Sequence, residues 1–330
     1  MDELGKNMTA KDAPIAAVIG AINLDILIQG LPHFANPGEQ VNGPQVQVRP
    51  GGKARNIASM LKHYLESDGV SLVAKLVLDT KGLYHVLRQS LEVDGIDTDH
   101  LILDGSDFDA LPTLSIFLNT RDHQSASYYL PGDNENMSPA DLDTRRALFE
   151  QLSLLVMTLE IPIPTACHAL KLAQELGLKV MLDPGGQPPE QAVDFSPLFE
   201  YPIYALKANA EEAERITGIP VTGFESAQQA AKMLMAKQVE NVLITHGKHG
   251  GYAFTPQESK HIRITEPDED EISPLADATG CGDQVMAVLA GEFLWDKDFM
   301  ASAEVGIEAG TLQYNRPGLA DLSWEDIYPF

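Results

Sequence analysis

Short apolar runs alternate with helical stretches along most of this chain, and the alternation constrains the fold more than any other feature of the sequence. The helical stretches are roughly ten to fifteen residues long, a length that joins neighbouring strands in βαβ units. Such units build a mostly parallel sheet. We therefore predict an α/β fold with a central, mostly parallel sheet. The predicted strands are residues 15–19, 72–78, 154–159, 178–182, 203–206 and 241–245.

Two regions depart from this alternation and predict a second, smaller sheet. Residues 27–48 combine prolines, glycines and short alternating runs, which favours β-structure over a helix. Residues 113–130 contain two alternating runs around 119–122, which predict a hairpin. We expect one domain over residues 14–330 that carries these two segments as insertions. Residues 1–13 are polar and are predicted to be loose.

The composition is that of a globular protein from a reducing compartment. With 330 residues and 44% apolar side chains, the chain can bury the core of one large α/β domain. No apolar segment approaches the ~20 residues needed to span a bilayer, and the first residues lack the basic and apolar regions of a secretory signal. Cys167 and Cys281 are too few for a disulfide framework and lack metal-ligand spacing. We expect a cytoplasmic protein.

The net charge of −25 argues against two classes of partner. Nucleic acids and anionic membrane surfaces are bound through Lys and Arg, and this chain has only 23 of these against 48 Asp and Glu. A phosphorylated ligand would be held chiefly by backbone N–H groups, a few placed cations and a metal ion. We therefore expect small-molecule partners, with no nucleic acid and no membrane.

Residues 277–283, Asp-Ala-Thr-Gly-Cys-Gly-Asp, form a glycine-rich turn that runs into an apolar helix. Gly280 and Gly282 allow another molecule to approach the backbone closely. The start of a helix offers unpaired N–H groups and the positive end of its dipole, which together bind anions such as phosphate. Asp283 lies beside this place, where a carboxylate is costly unless it accepts a proton from a nucleophile or meets a cation. Taken alone, the turn fits an ordinary loop with a capping aspartate equally well.

A second glycine turn and several strand ends supply the context that the first turn lacks. Residues 50–56, Pro-Gly-Gly-Lys-Ala-Arg-Asn, open a predicted helix with polar groups crowded into its first turn. Asn23 and Asp25 follow the first predicted strand, and Glu160 follows the third. Ligands of parallel α/β sheets bind at the carboxyl ends of strands. The sequence therefore places these polar residues where a ligand would bind.

Five short motifs follow one another along the chain, each at a strand end or a helix start. They are Gly20-Ala21-Ile22-Asn23-Leu24-Asp25, Gly51-Gly52-Lys53 with Asn56, Asn209-x-x-Glu212, Thr245-x-Gly247-x-x-Gly250, and the turn from Asp277 to Asp283. In this order they resemble the ribokinase-like (PfkB-type) carbohydrate kinase family. The resemblance runs from about Ile15 to Leu319. Each motif is weak by itself, but five in order make a specific signal.

The resemblance implies a three-layer sandwich, in which a central parallel-rich sheet carries helices on both faces and a small β-sheet lid covers the sugar. The lid often forms a dimer interface in such kinases, which implies a homodimer. The implied reaction is transfer of the γ-phosphoryl group of ATP to a hydroxyl of a sugar. Asp283 would be the general base, and backbone N–H groups of the turn at Gly280, Cys281 and Gly282 would form an anion hole.

The resemblance also implies ligand-binding residues. Asn209 and Glu212 match an element that organises Mg²⁺, waters and phosphate in the family. The positions that would hold sugar hydroxyls are Asn23, Asp25, Gly52, Lys53, Asn56 and Glu160. The positions that would line the nucleotide are Thr245, Gly247 and Gly250. Asp277 and Thr279, with the turn Asn315-Arg316-Pro317-Gly318, resemble a monovalent-cation loop, which makes K⁺ a candidate activator.

Three positions depart from the family pattern. Ala208 stands where a proline commonly precedes the asparagine of the N-x-x-E element. Cys281 replaces a small residue of the anion turn and could make the protein sensitive to thiol oxidation. Arg55 stands where a small residue is common, and a similar arginine occurs in relatives that act on nucleosides such as pseudouridine. Arg55 therefore leaves ribose itself open to question.

We interpret the chain as an ATP-dependent sugar kinase, with ribose or a related pentose or ketose as the favoured acceptor. A nucleoside (pseudouridine-type) kinase of the same family is the first alternative. The polar set of acceptor residues favours a bare sugar, because a nucleobase needs a roomier, aromatic-lined pocket. The second alternative is a catalytically silent sugar-binding regulator, which would have been free to lose Asp283 and the two glycines of its turn.

Overall fold

The computed structural model describes residues 16–67, 69–122, 124–186, 193–264, 278–316 and 322–328. Its strands are β1 (Ala16–Ile19), β2 (Asn23–Leu31), β3 (Gln45–Gly51), β4 (Val70–Val73), β5 (Lys75–Val77), β6 (Ile102–Asp104), β7 (Leu114–Thr120), β8 (Ser125–Leu130), β9 (Leu154–Thr158), β10 (Lys179–Asp183), β11 (Ile203–Asn209), β12 (Val239–Thr245), β13 (Gly251–Phe254) and β14 (Ser259–Ile262). Its α-helices are α1 (Lys53–Leu65), α2 (Leu83–Val93), α3 (Pro139–Asp143), α4 (Arg146–Phe149), α5 (Ile163–Leu176), α6 (Ala210–Thr217), α7 (Phe224–Met235), α8 (Cys281–Leu294), α9 (Phe299–Tyr314) and α10 (Trp324–Ile327).

The central sheet has eight strands in the order β14-β13-β12-β11-β10-β9-β1-β4. Pairing is parallel from β4 to β12, and the last two strands, β13 and β14, form an antiparallel edge. Apolar residues of α5, α6 and α7 are buried in the core on one face of the sheet, and those of α1, α8 and α9 in the core on the other. The predicted α/β sandwich with a mostly parallel sheet is therefore confirmed.

Four further strands form a separate small sheet in the order β3-β2-β7-β8. Strand β2 pairs antiparallel with β3 and parallel with β7, while β7 and β8 form the predicted hairpin. Because directly paired residues share a face of a sheet, one cross-strand row consists of Arg49, Asp25, Ser115 and Tyr129. The small sheet thus carries Asp25 on a polar face.

The predicted strand 72–78 is wrong as a single element, because the structure divides it into β4 and β5. Strand β5 leaves the central sheet and pairs with β6, a strand that the sequence pattern does not predict. Lys75 explains the division. Its ammonium group forms ion pairs with Asp104 at 3.2 Å and Asp141 at 3.3 Å, which a position inside the central sheet would not allow.

Helices α1 and α8 lie side by side and run in the same direction. Asn56 contacts Asp283 at their N-terminal ends, and the hydroxyl of Tyr64 donates to Glu292 at 2.6 Å at their C-terminal ends. Gly291 permits this close packing, because a side chain there would collide with the ring of Tyr64. Two helix N-termini, each the positive end of a dipole, therefore meet at one place.

Several predictions fall on residues that the structure does not describe. They concern the loose segment 1–13, Asp277 and part of the turn that follows Asn315. Within the described residues, no helix combines the length and the apolar character needed to cross a membrane. Cys167 and Cys281 are both free thiols.

Candidate active site

Asp283 lies in the first turn of α8 and is 4% exposed. Gly280, which precedes the helix, has a φ of 78°, a left-handed conformation that favours glycine. Two side chains from the first turn of α1 reach the carboxylate. Asn56 Nδ2 donates to Oδ2 at 2.9 Å, and Lys53 Nζ donates to Oδ1 at 3.3 Å. The structure therefore brings together three of the site residues predicted from sequence.

Glu160 caps the N-terminus of α1. Its Oε2 accepts a hydrogen bond from the backbone N–H of Lys53 at 2.7 Å, which satisfies one of the unpaired donors of the helix start. Gly52 has a φ of 92°, and a Cβ at this position would lie 2.5 Å from the carbonyl oxygen of Ala21. This glycine is therefore required by the backbone packing that aims the first turn of α1 at the site.

Two carboxyl groups of the site have raised pKa values. Burial raises the pKa of Asp25 to about 6, although the charge of Arg49 and a hydrogen bond from Ser115 oppose the shift. Burial likewise raises the pKa of Glu160 to about 7, against the charge and the backbone N–H of Lys53. The carboxyl groups of Asp25 and Glu160 therefore change protonation close to neutral pH.

Asn23 lies on the same face of β2 as Asp25, because side chains two residues apart share a face.

Lys53 is the cation that the surrounding carboxylates share. Its Nζ lies 3.3 Å from Asp283 and 3.9 Å from Asp183. Burial lowers the pKa of Lys53, but the charges of Asp183 and Asp283 outweigh burial. Together with Glu212 and Glu160 they hold the pKa of this lysine well above its ordinary value. Lys53 therefore carries its positive charge at neutral pH.

The sequence reasoning missed a second buried ion pair at the site. Lys207 Nζ donates to Asp183 Oδ2 at 2.8 Å, and the lysine and the aspartate are 2% and 0% exposed. A Cβ on Gly282 would lie 2.7 Å from Lys207 Nζ, so this ammonium group adjoins the glycine turn before α8. The signal was a lysine inside an otherwise apolar strand, because a buried charge needs a partner or a ligand.

Asn209 and Glu212 form a capping box at the start of α6. Asn209 Oδ1 accepts from the backbone N–H of Glu212 at 2.8 Å, and Glu212 Oε2 accepts from the backbone N–H of Asn209 at 2.8 Å. Glu212 Oε1 faces the site, 2.7 Å from where a Cβ of Gly185 would lie. Burial and the charge of Asp183 raise the pKa of Glu212, although Lys207 and Lys53 oppose the shift.

The three predicted nucleotide residues lie at the carboxyl end of β12. Thr245 is paired in register with Asn209 on the neighbouring strand β11, so this strand end adjoins the capping box. Gly247 and Gly250 have φ values of 51° and 81° and bracket a short 3-10 turn. Thr279 directly precedes Gly280 at the start of α8, and its carbonyl accepts from Gln313 Nε2 at 3.5 Å.

Arg55 links helices. Its guanidinium group forms an ion pair with Asp94, at the end of α2, and the hydroxyl of Ser59 donates to the same carboxylate at 3.3 Å. This pairing gives the arginine a part in joining α1 to α2. The charge of Arg55 also opposes the rise in the pKa of Asp25, so the arginine acts on the acceptor side as well.

Comparison with known proteins assigns the family. The profile of the pfkB family carbohydrate kinases matches residues 15–326. A ribokinase of Haemophilus influenzae is 25% identical over 301 residues, which cover 91% of this chain and 92% of the relative. A deoxyribokinase of Salmonella typhi is 25% identical and covers 88% and 89% of the two chains. The ribokinase of Arabidopsis thaliana, solved with ribose and ATP, superposes with a TM-score of 0.81 at 22% identity over 96% and 98% of the chains.

The fold and the family profile together define the class of this protein. The chain belongs to the pfkB family of carbohydrate kinases. It is an ATP-dependent sugar kinase.

Proposed function

We propose that the protein transfers the γ-phosphoryl group of ATP to a hydroxyl of a small neutral sugar, with ribose or a related pentose or ketose preferred. The observation that carries this proposal is the position of Asp283 at the meeting point of two helix N-termini, where Asn56 and Lys53 contact its two oxygens. A base in contact with an anion-binding helix start is the arrangement that phosphoryl transfer to a hydroxyl requires.

Each residue of the site then has a distinct task. Asp283 accepts the proton of the attacking hydroxyl, and Asn56 keeps its carboxylate in place. The N–H groups of the turn at Gly280 to Gly282 point at the phosphoryl group as negative charge develops on it. Lys53 and Lys207 supply two fixed positive charges beside that turn. Because these groups are already held by Asp183, little reorganisation accompanies the reaction.

The polar character of the acceptor side favours a bare sugar over a nucleoside. Asn23, Asp25 and Glu160 offer one amide and two carboxyl groups, which suit hydroxyls; a site built to bind hydroxyls rejects analogues that lack them. The similarity to a ribokinase and a deoxyribokinase supports the same choice. A non-catalytic regulator would have no use for Asp283.

We further propose Mg²⁺ as the cofactor and K⁺ as an activator. Glu212 Oε1 faces a cluster with surplus negative charge, so it is suited to hold Mg²⁺ through water; the metal would neutralise charge on the phosphates. Asn315 Oδ1 is buried and has no hydrogen-bond partner among the described residues. Such an oxygen suits a monovalent cation near Thr279, and Asp277 of the same proposed loop lies outside the described residues.

We propose that the small sheet is a lid over the sugar and that the lid mediates a homodimer in the cytoplasm. The face of the small sheet opposite Asp25 is apolar. Its side chains Val46, Val48, Tyr128 and Leu130 are 63%, 54%, 59% and 43% exposed. A partner covering this face would remove these side chains from water. The free thiols of both cysteines agree with a reducing compartment.

The experiment that tests this function is a panel of acceptors monitored by ADP release at saturating Mg²⁺. We expect the highest kcat/KM with a pentose or ketose. ADP release with nucleosides and with no sugar would identify the protein as a nucleoside kinase. Sugar binding without ADP release would identify it as a non-catalytic regulator. Repeating the assay in K⁺, Na⁺ and tetramethylammonium chloride at matched ionic strength separates a cation site from screening. Equal rates in the three salts would remove K⁺ from the proposal.

Glu160→Gln is expected to raise the KM for the sugar roughly tenfold and to leave the KM for ATP unchanged, because only the acceptor side loses a charged hydrogen-bond acceptor. The pH profile gives a second readout. Only ionised carboxylates accept fully from hydroxyls, so kcat/KM for the sugar should rise with pH through about 6 and 7, the pKa values of Asp25 and Glu160. Glu160→Gln should remove the upper step.

The matched control for this prediction is Glu175→Gln on α5, where the side chain is exposed. Equal changes in the two KM values, or an unchanged pH profile, would assign Glu160 a purely structural role.

A further inference from the structure

Asn134 is a completely buried residue that contacts Asn23, one of the proposed sugar-binding residues. It lies in the short turn Asp133–Asn136 after β8 and is 0% exposed. Its side chain bonds to Ile22 and Asn23 and also interacts with Tyr129. Oδ1 accepts from the backbone N–H of Ile22 at 3.4 Å, and Nδ2 donates to the carbonyl of Ile22 at 3.3 Å and to Asn23 Oδ1 at 2.7 Å. Asn134 therefore holds the chain at the junction between the end of β1 and the start of β2.

These contacts fix which way the Asn23 amide points. A backbone N–H can only donate, so the atom of Asn134 that meets Ile22 N must be the oxygen. The opposite atom of Asn134 is then the nitrogen, which also agrees with its contact to the Ile22 carbonyl. A nitrogen that donates to Asn23 must meet an oxygen. The Nδ2 group of Asn23 is therefore turned to the other side.

The free side of Asn23 leads to the acceptor carboxylate. Asn23 Nδ2 lies 3.5 Å from Ser115 Oγ, and the Ser115 hydroxyl opposes the rise in the pKa of Asp25. Ser115 and Asp25 are directly paired on β7 and β2. The amide donors of Asn134 and Asn23 therefore both point towards the strand pair that carries Asp25. Asn134, Asn23, Ser115 and Asp25 therefore form one connected series of neighbouring side chains.

The turn that carries Asn134 is itself held firmly. Asp133 Oδ1 accepts from the backbone N–H and the hydroxyl of Thr113 at 3.0 and 3.1 Å, and Oδ2 accepts from the backbone N–H of Val77 at 2.7 Å. Thr113 precedes β7, and its carbonyl accepts from the backbone N–H of Leu24 at 2.9 Å. The turn, which follows β8, thus holds the start of β2 and the start of β7 in place.

We propose that Asn134 is a positioning residue for acceptor recognition: by holding Asn23 Oδ1, it makes Asn23 present a hydrogen-bond donor to the sugar beside the acceptor groups of Asp25 and Glu160. This proposal rests on the proposed function, because it specifies how the same site recognises its acceptor. An acceptor must then offer an oxygen lone pair to Asn23 and hydroxyl protons to the two carboxylates. A sugar that lacks the oxygen facing Asn23 is a poorer substrate.

The first test is Asn23→Asp. The new carboxylate still accepts from Asn134 Nδ2, so the bond that anchors it remains, and only the atom turned to the acceptor changes from donor to acceptor. We expect the KM for the sugar to rise roughly tenfold and the KM for ATP to stay within about twofold. An unchanged KM for the sugar would show that no donor of Asn23 contributes to acceptor binding, and it would overturn the proposal.

The second test is a double-mutant cycle with Asn134→Asp. This variant keeps the bond from Ile22 N–H but loses both donors, so Asn23 should reverse its amide. If Asn134 acts through Asn23, Asn134→Asp should raise the KM for the sugar roughly tenfold in the wild type and less than about twofold in Asn23→Ala. Equal increases in both backgrounds, or equal effects on the KM for ATP, would indicate a purely structural role and overturn the proposal.

The matched control is Asn136→Asp, two residues further along the same turn, where the side chain is exposed and, among the described residues, donates only to the carbonyl of Gly132. It should leave both KM values unchanged. Sugar affinity measured by calorimetry makes the cycle independent of turnover. A wild type that binds sugar but transfers no phosphoryl group would therefore refute the proposed function and leave the inference on Asn134 to be decided separately. If Asn134→Asp does not fold, Asn23→Asp decides alone.

Discussion

Asp283→Asn is expected to lower kcat by about 100-fold or more, because the amide has the size of the carboxylate but cannot accept the proton of the attacking hydroxyl. The binding of ATP and sugar should change little, since neither depends on proton transfer. The amide oxygen can still accept from Asn56 Nδ2, which now lies 2.9 Å from Oδ2, so the start of α8 should keep its place. The amide nitrogen would then face Lys53, so the structural costs are the lost Lys53–Asp283 ion pair and local repulsion.

The measurements are steady-state kcat with the best acceptor and calorimetric affinities for ATP and sugar. Asp109→Asn is the matched control, because the Asp109 side chain is 94% exposed and pairs with Lys81. A purified, folded Asp283→Asn protein with near-normal kcat would remove Asp283 from the role of general base. Loss of binding together with turnover would instead point to a collapsed site.

Lys53→Met is expected to lower kcat by roughly 100- to 1,000-fold, the range found when one preorganised group that stabilises transition-state charge is removed. Methionine matches the lysine side chain as far as Cε and lacks only its terminal ammonium group, and it leaves the backbone N–H on Glu160. The change therefore isolates the ammonium group. Its loss leaves the carboxylates of Asp283 and Asp183 without the cation they share, so the phosphoryl group meets repulsion where it now meets attraction.

The KM for ATP should rise as well in Lys53→Met, because the charge acts on phosphate in both the ground state and the transition state. The control is Lys232→Met on α7, an exposed lysine. An effect confined to the KM for the sugar would contradict the expectation, and it would return Lys53 to the purely sugar-binding role that the family resemblance implies. Lys53→Arg separates charge from shape, since it keeps the charge but not the compact ammonium group.

The sequence predicted those parts of the site whose geometry is local. The turn before α8 and the turn before α1 each require a glycine at positive φ, at Gly280 and Gly52, and such positions leave a readable pattern. The N-x-x-E element predicted a polar helix start, which the structure shows as the Asn209–Glu212 capping box. The ends of the strands could also be predicted, because a strand buried on both faces is a nearly continuous apolar run that ends where polar residues begin.

The contacts between distant segments could not be predicted in the same way. Lys207 and Asp183 lie on neighbouring strands, and only strand order, which no local pattern encodes, brings them together. Asn134 looks like any turn asparagine until β1, β2 and β7 are in place around it. The break at Lys75 was missed for a related reason, because its partners Asp104 and Asp141 come from elements that the apolar pattern of one strand cannot reveal.

The small sheet also bears on the order in which the chain folds. Ile22 and Asn134 are 112 residues apart, and Asn23 and Ser115 are 92 apart. Pairings at such separations cost loop-closure entropy before they contribute stability, and they form slowly. The neighbours β9 and β10 are joined by a single helix, so they should pair first. Pulse-labelled hydrogen exchange during refolding should therefore protect amides of β10 before those of β2, and a newly made chain would bury most of its core before it could recognise a sugar.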